Sequence, residues 1–195
     1  MPTRRLATHE AEEDVATAVP SQSTAEGHFY VVVGRDLDAD TGRYKVLSLL
    51  GEGFFSKVVE CWDRKLRQRC AAKIVRIMPK YPRDPRGEIA VMERVRAADP
   101  RDAYPLMKIQ GHFVNAEGHT CIVMPACGPS LHAHVQRHGP LPHRHVAEIV
   151  FQCGVALDFL HTELRLIHTD VKPENILLES AAVAAEAAAG DRATP

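Results

Sequence analysis

The run RYKVLSLLGEGFFSKVVECWD, Arg43 to Asp63, constrains the fold more than any other stretch of the 195-residue chain. Two segments rich in apolar and β-branched residues flank Gly51-Glu52-Gly53, and the pattern reads as strand, glycine turn, strand. Glycines in such a turn let backbone N–H groups come close to a phosphate, because no Cβ stands between. The order of elements matters. A dinucleotide-binding or Walker loop opens onto a helix, whereas this turn returns as a second strand. A GxG turn also joins ordinary hairpins, so its meaning depends on the elements C-terminal to it.

CAAKIVRI, Cys70 to Ile77, reads as a third strand, apolar except at Lys73 and Arg76. A lysine inside such a strand costs desolvation unless it meets an anion or snorkels to water. Glu88 supplies the anion. A helix from about Pro85 to Ala98, with Ile89, Met92 and Val95 at 3–4 spacing, puts Glu88 on the face of Met92 and Val95. GHFVN and HTCIVM are further strand candidates, and Ser130 to Arg137 a short helix. His143 to Thr162 is the clearest helix, with Val146, Ile149, Val150, Cys153, Leu157 and Leu160 in one apolar stripe. HFYVVV, residues 28–33, reads as one more short strand. Residues 1–27 form a polar extension read as disordered. Residues 180–195 form an Ala-rich tail or the start of an insertion, and Ser180 to Gly190 is at most a marginal helix.

Several function classes fall away. A net charge of −1 gives no basic face for direct nucleic-acid binding. Five cysteines without a CxxC pair point to reduced thiols in the nucleus or cytoplasm, against disulfides or a zinc site. No apolar run approaches a membrane span, and the first residues lack a signal-peptide core. Asp36, Asp38 and Asp40 alternate as in a calcium loop. The positions that need Gly and Glu hold Thr41 and Leu47, so a solvated acidic turn is expected. His132, His134, His138, His143 and His145 spread over two helix ends and a turn, and read as surface residues. Arg83, Arg86, Arg94, Arg96 and Arg101 are interspersed with Asp84, Glu93, Asp99 and Asp102 and read as a solvated face.

The decisive stretch is HTDVKPEN, His168 to Asn175. An aspartate there can accept the proton of an incoming hydroxyl. A lysine two residues on can neutralise a transferred phosphoryl group, and an amide oxygen five residues on can ligate magnesium. Turn chemistry alone would explain a lone Asp or Asn. It does not explain a glycine turn, a strand lysine and a helix glutamate preceding the loop in that order.

In that order the motifs resemble the first part of a eukaryotic-type protein kinase domain. More narrowly, the chain resembles the LAMMER (Cdc-like) dual-specificity kinases. The residues that carry this are EGH (Glu26–His28), GRY (Gly42–Tyr44), LGEG with VVECWDRK, KY and DP around EIAVMERV, FQCGVALDFLH (Phe151–His161), and HTD itself. The resemblance implies an α+β, protein-kinase-like fold over residues 28–179. Residues 28–127 would be the small antiparallel-sheet lobe and hinge, and residues 128–179 the first helices of a truncated helical large lobe. ATP and Mg²⁺ would be the cofactors. Gly51, Glu52 and Gly53 would cover the ATP phosphates, Val58 and Ala71 would pack on adenine, and Lys73 paired with Glu88 would reach the α- and β-phosphates. Met124 would be the gatekeeper, with the Pro125 carbonyl and Cys127 N–H facing adenine. Asp170 would be the catalytic base, Lys172 its companion and Asn175 a magnesium ligand. Substrates would be protein serine, threonine or tyrosine hydroxyls, by family those of Arg/Ser-rich splicing factors.

The departures carry expectations too. Ser56 stands where the third loop glycine would be, as in the SR-protein kinases, an alternative family assignment. Thr169 replaces the arginine of HRD, which implies activity without activation-loop phosphorylation. Neither DFG nor APE follows Asn175 within residue 195. The 195-residue chain by itself is therefore expected to be nearly inactive, with the 143–162 stripe partly uncovered. A catalytically inert nucleotide- or partner-binding module stays open, as does a generic nucleotide-binding hairpin. The oligomeric state is also open.

Overall fold

The computed structural model describes residues 27–78 and 84–179. The strand–turn–strand forms as β1 (Tyr44–Glu52) and β2 (Ser56–Asp63), and β3 (Gln68–Val75) continues antiparallel to β2. After α1 (Arg86–Ala98) come β4 (Gly111–Val114) and β5 (Thr120–Pro125), which complete an antiparallel sheet in the order β1-β2-β3-β5-β4. Next come α2 (Leu131–His138), α3 (His143–Thr162) and a short 3₁₀ turn at Pro173–Asn175. Ser130 starts α2 by accepting from the Ala133 N–H at 3.1 Å, one of the donors a helix N-terminus leaves without a partner.

Because side chains alternate along a strand, the register divides the sheet into two faces. Val46, Val59, Cys61, Cys70, Ala72, Ile74, Cys121 and Val123 build one buried cluster on the outer face. Val58, Lys73 and Ile122 are register partners on the other face, which Ala71 and Met124 share. Ile89 of α1 packs there against Ile109 and Ile122, with Met92 and Met124 beside them.

No strand forms over residues 28–33. That apolar run instead crosses the outer face as an irregular strap, burying Phe29 to 3% and, further on, Leu37 to 2%. Its backbone is pinned at several points rather than as a continuous strand. The Gly27 carbonyl accepts from Ile77 N–H at 3.0 Å, and Gly34 N–H and Leu37 N–H donate to Val46 and Tyr44 carbonyls at 2.8 Å each. Gly27 has φ +85° and sits so close to the Ile77 carbonyl that a Cβ would lie 1.9 Å from its oxygen, so no other residue fits there unmoved. Arg35 pairs with Glu117 and Arg64 with Asp36, which fastens the strap to the sheet's loops. The acidic turn after it is closed by Thr41, whose N–H and hydroxyl both donate to the Asp38 carboxylate. At the far end of β2, Asp63 is buried and accepts from Arg43 Nε at 2.9 Å and Nη2 at 2.6 Å.

The C-terminal end of α1 joins the sheet to the helices. Val95 packs with Phe159, Leu160 and Leu164, and the Tyr104 and Phe159 rings stack at 4.0 Å. Arg94 Nη2 donates to the Leu164 carbonyl at 2.8 Å and Arg96 Nη1 to the Ile109 carbonyl at 3.4 Å. The arginine face read as merely solvated thus includes two residues that tie α1 to its neighbours; a buried carbonyl needs a donor whatever its sequence distance. Arg86 pairs with Asp84 in solvent, and Arg83 lies outside the described residues. The stripe of α3 is buried only toward its end, at Leu160. Val146 and Val150 are exposed, beside an apolar groove of about 410 Å³ that Leu131, Leu157, Val171 and Ile176 also line. The polar extension before Gly27 and the Ala-rich segment Ser180 to Gly190 lie outside the described residues.

Candidate active site

Lys73 is held on the inner face of β3 by its register, opposite Val58 on one side and Ile122 on the other. Its Nζ lies 2.5 Å from Glu88 Oε1, and both side chains are only partly exposed. The α1 contacts that bury Ile89 also aim Glu88, one residue earlier, at this strand. Val58, Ala71 and Met124 share the face, so four of the expected nucleotide-binding residues come together through sheet geometry alone. Pro125 ends β5 opposite Cys70, Ala126 is buried, and Cys127 is half-buried as the chain leaves the sheet. Gly51 and Glu52 end β1 and Gly53 opens the turn, where Glu52 meets Lys57 at 3.2 Å across the hairpin.

The second group lies after α3. Lys172 Nζ is 3.0 Å from Asp170 Oδ1, and Asn175 Nδ2 donates to both the Asp170 carboxylate and its carbonyl at 2.8 Å. The Asp170 N–H donates to His168 Nδ1 at 3.3 Å. Thr169 between them has φ +64°, the left-handed region that a β-branched residue rarely enters. The hydrogen bonds from Lys172, first, and Asn175, second, hold the Asp170 carboxyl below its ordinary range despite the small opposing effect of desolvation. An exposed, ionised carboxylate is what accepting a hydroxyl proton requires. With Asn175 Nδ2 committed to Asp170, Oδ1 is the atom left for a cation. One hard oxygen suits magnesium, which keeps waters and phosphate oxygens as its other ligands. The residues therefore fit one ligand position of the ion. Among the described residues, no group of three or more His, Cys, Asp and Glu is placed to hold a metal.

A cavity of about 500 Å³ lies beside the Lys73–Glu88 pair, bordered by Lys73, Glu88 and Met92 on one side and Leu160, Leu166 and His168 on the other. Three features of this region were not read from the sequence. His168 lines the cavity. The Gly128 N–H donates to the Leu178 carbonyl at 2.7 Å and the Leu131 N–H to the Ile176 carbonyl at 2.7 Å, so the segment after Cys127 is laced to the segment after Asn175. Arg76 contacts the glycine turn. The apolar run ILL after Asn175 was the available signal for the lacing; nothing in the sequence marked Arg76. Of the surface histidines, His132 approaches Glu174 at 3.7 Å, and the His134 and His138 rings lie 4.8 Å apart.

A five-stranded antiparallel sheet with a lysine–glutamate pair against its helix, followed by helices and an Asp-x-Lys loop, is the architecture of a kinase. The protein kinase domain family matches residues 44–185, and the chain belongs to that family. Within it the likeness runs to the Cdc-like, or LAMMER, kinases. The chain is 39% identical over 155 residues to the dual specificity protein kinase CLK1 of Homo sapiens, covering 78% of this chain and 31% of that protein. It is 38% identical over 157 residues to the serine/threonine-protein kinase AFC2 of Arabidopsis thaliana, covering 80% of this chain and 35% of that one. The chain thus spans about a third of the length of these relatives. The crystal structure of the PF14_0431 kinase domain superposes with a TM-score of 0.70 and 28% identity, over 79% of this chain and 44% of that one.

Proposed function

We propose that this chain carries the ATP site and catalytic loop of a LAMMER-type protein kinase. The observation that carries the reading is the Lys73–Glu88 contact at 2.5 Å on the sheet face shared with Val58, Ala71 and Met124. In this reading adenine lies between Val58 and Ala71 with its edge on Pro125 and Cys127, beside Met124. The turn at Gly51 to Gly53 covers the phosphates, and Lys73, aimed by Glu88, holds the α- and β-phosphates. Asp170 accepts the proton of a protein hydroxyl as that oxygen attacks the γ-phosphorus, and Lys172 balances the charge of the phosphoryl group in flight. Asn175 would hold a magnesium ion, which when bound supplies positive charge to the phosphate oxygens. Substrates would be serine, threonine or tyrosine hydroxyls in Arg/Ser-rich splicing factors, met in the nucleus or cytoplasm. Residues 28–127 serve as small lobe and hinge and residues 128–179 as the beginning of the large lobe.

A second reading is a nucleotide- or partner-binding module with little transfer activity. Calorimetric titration with ATP tests the site. Lys73→Ala and Glu88→Ala should each weaken binding about tenfold or more, the worth of a charge-assisted contact. Retained affinity in Glu88→Ala would leave only a generic glycine hairpin. Transfer to a serine-rich basic peptide, present with Asp170 and lost in Asp170→Asn, would overturn the inert reading.

A further inference from the structure

The glycine turn is anchored from outside the two strands that carry it. Arg76, the residue after β3, donates its backbone N–H to the Phe55 carbonyl at 2.9 Å. Its Nη1 donates to the Phe54 carbonyl at 3.0 Å, and its guanidinium carbon lies 4.9 Å from the centre of the Phe54 ring. Phe54 in turn meets Phe55 edge to face at 4.9 Å. These rings are 66% and 44% exposed, so core packing does not hold the tip of the turn. Nor does crowding at the glycines: a Cβ on Gly51 would meet nothing within 4 Å, and one on Gly53 only the Ser56 carbonyl at 3.8 Å.

A turn of this kind has many backbone conformations open to it, and ordering them on binding would be paid in entropy. The Arg76 contacts restrict them beforehand. We infer that Arg76 is a positioning residue for the nucleotide phosphates: it latches Phe54 and Phe55 to the end of β3 and so holds in one place the turn that the Gly53 N–H closes on the Ser56 carbonyl at 2.9 Å. The inference rests on the ATP-site reading above. It has a signature that a merely structural role lacks. The latch acts on the part of the site that meets phosphates, so it should change affinity for ATP and leave affinity for adenosine alone.

The test is a titration of the 195-residue chain with ATP and with adenosine, for the wild type, Arg76→Ala, Arg76→Lys and Lys73→Ala. Arg76→Ala should weaken ATP by about three- to tenfold, the combined worth of one carbonyl hydrogen bond and one exposed cation–π contact. Adenosine should stay within about twofold, since it carries no phosphate for the turn to cover. Arg76→Lys, which keeps a donor and a cation, should fall between. Unchanged ATP affinity in Arg76→Ala, or an equal loss for ATP and adenosine, would overturn the latch while Lys73→Ala still reports the site. A wild-type chain that binds neither ligand would overturn the ATP-site reading and the latch with it.

Discussion

In the sheet, Val59, Cys61, Cys70, Ala72, Cys121 and Ile122 have no exposed surface, whereas on α3 Val146, Val150 and Phe151 are 44%, 64% and 71% exposed. Both regions are built from strongly apolar segments. They differ in what lies opposite. The sheet is covered on its outer face by the 27–37 strap and on its inner face by α1, each supplied by chain close in sequence. A long helix needs another helix along its stripe. Leu131, Leu141, Val171 and Ile176 line an apolar groove along the N-terminal half of the stripe on α3 without closing it. The buried residues of α3 lie toward its end, where Phe159 and Leu160 meet Val95. The lesson is that the nucleotide half of the site rests on a closed core, while the catalytic loop hangs from an element that is buried at one end only.

The largest expected effect tests the closed side. Ile122→Ala removes a side chain packed between Ile89 and Ile109. It should cost about 3 kcal/mol, the range for a buried Ile→Ala change, measured by urea denaturation. A loss below about 1 kcal/mol would mean the inner face is loosely packed and the contrast between the regions false. Next comes the open side. Val150→Lys should change stability by no more than about 0.5 kcal/mol, as exposed substitutions do, and should reduce concentration-dependent association in sedimentation velocity. A larger loss, or unchanged association, would show that the α3 face is covered after all.

The smallest effect concerns the loop. Lys172 and then Asn175 depress the Asp170 pKa in the folded chain below that of an unfolded aspartate, about 3.9. The stabilisation linked to this is present above the unfolded value and lost as pH falls through the folded one. Carboxyl NMR should find Asp170 titrating below the ordinary range, and Lys172→Ala should move it up. A midpoint at or above the ordinary value would mean the loop is not held together by this cluster.

Much of this was readable in the residues. The strands around GEG, the third strand with Lys73, and α1 with Glu88 come from alternation and 3–4 spacing. Sheet register then brings Val58, Ala71, Lys73 and Met124 together. What could not be read depends on partners far along the chain. HFYVVV has the composition of a strand, yet residues 28–33 form none of the five strands of the sheet, and Gly34 and Leu37 bond to the backbone of β1. Arg94 and Arg76 look like ordinary surface arginines until the Leu164 and Phe54 carbonyls arrive beside them. The φ of Thr169 runs against its residue type, as backbone at a functional loop can when its surroundings fix it.

The strap over the outer face also decides the reactivity of the thiols beneath it. Phe29 and Leu37 belong to the same buried cluster as Cys61, Cys70 and Cys121. Burial pushes Cys61 and Cys70 up to about 12, and Cys121 higher still. At neutral pH such groups stay in the thiol form, not the thiolate that oxidants and alkylating agents attack. The protection does not come from the sheet alone, since this face would be open to solvent without the segment that crosses it. A stretch that precedes the matched kinase domain thereby keeps three of its cysteines chemically silent.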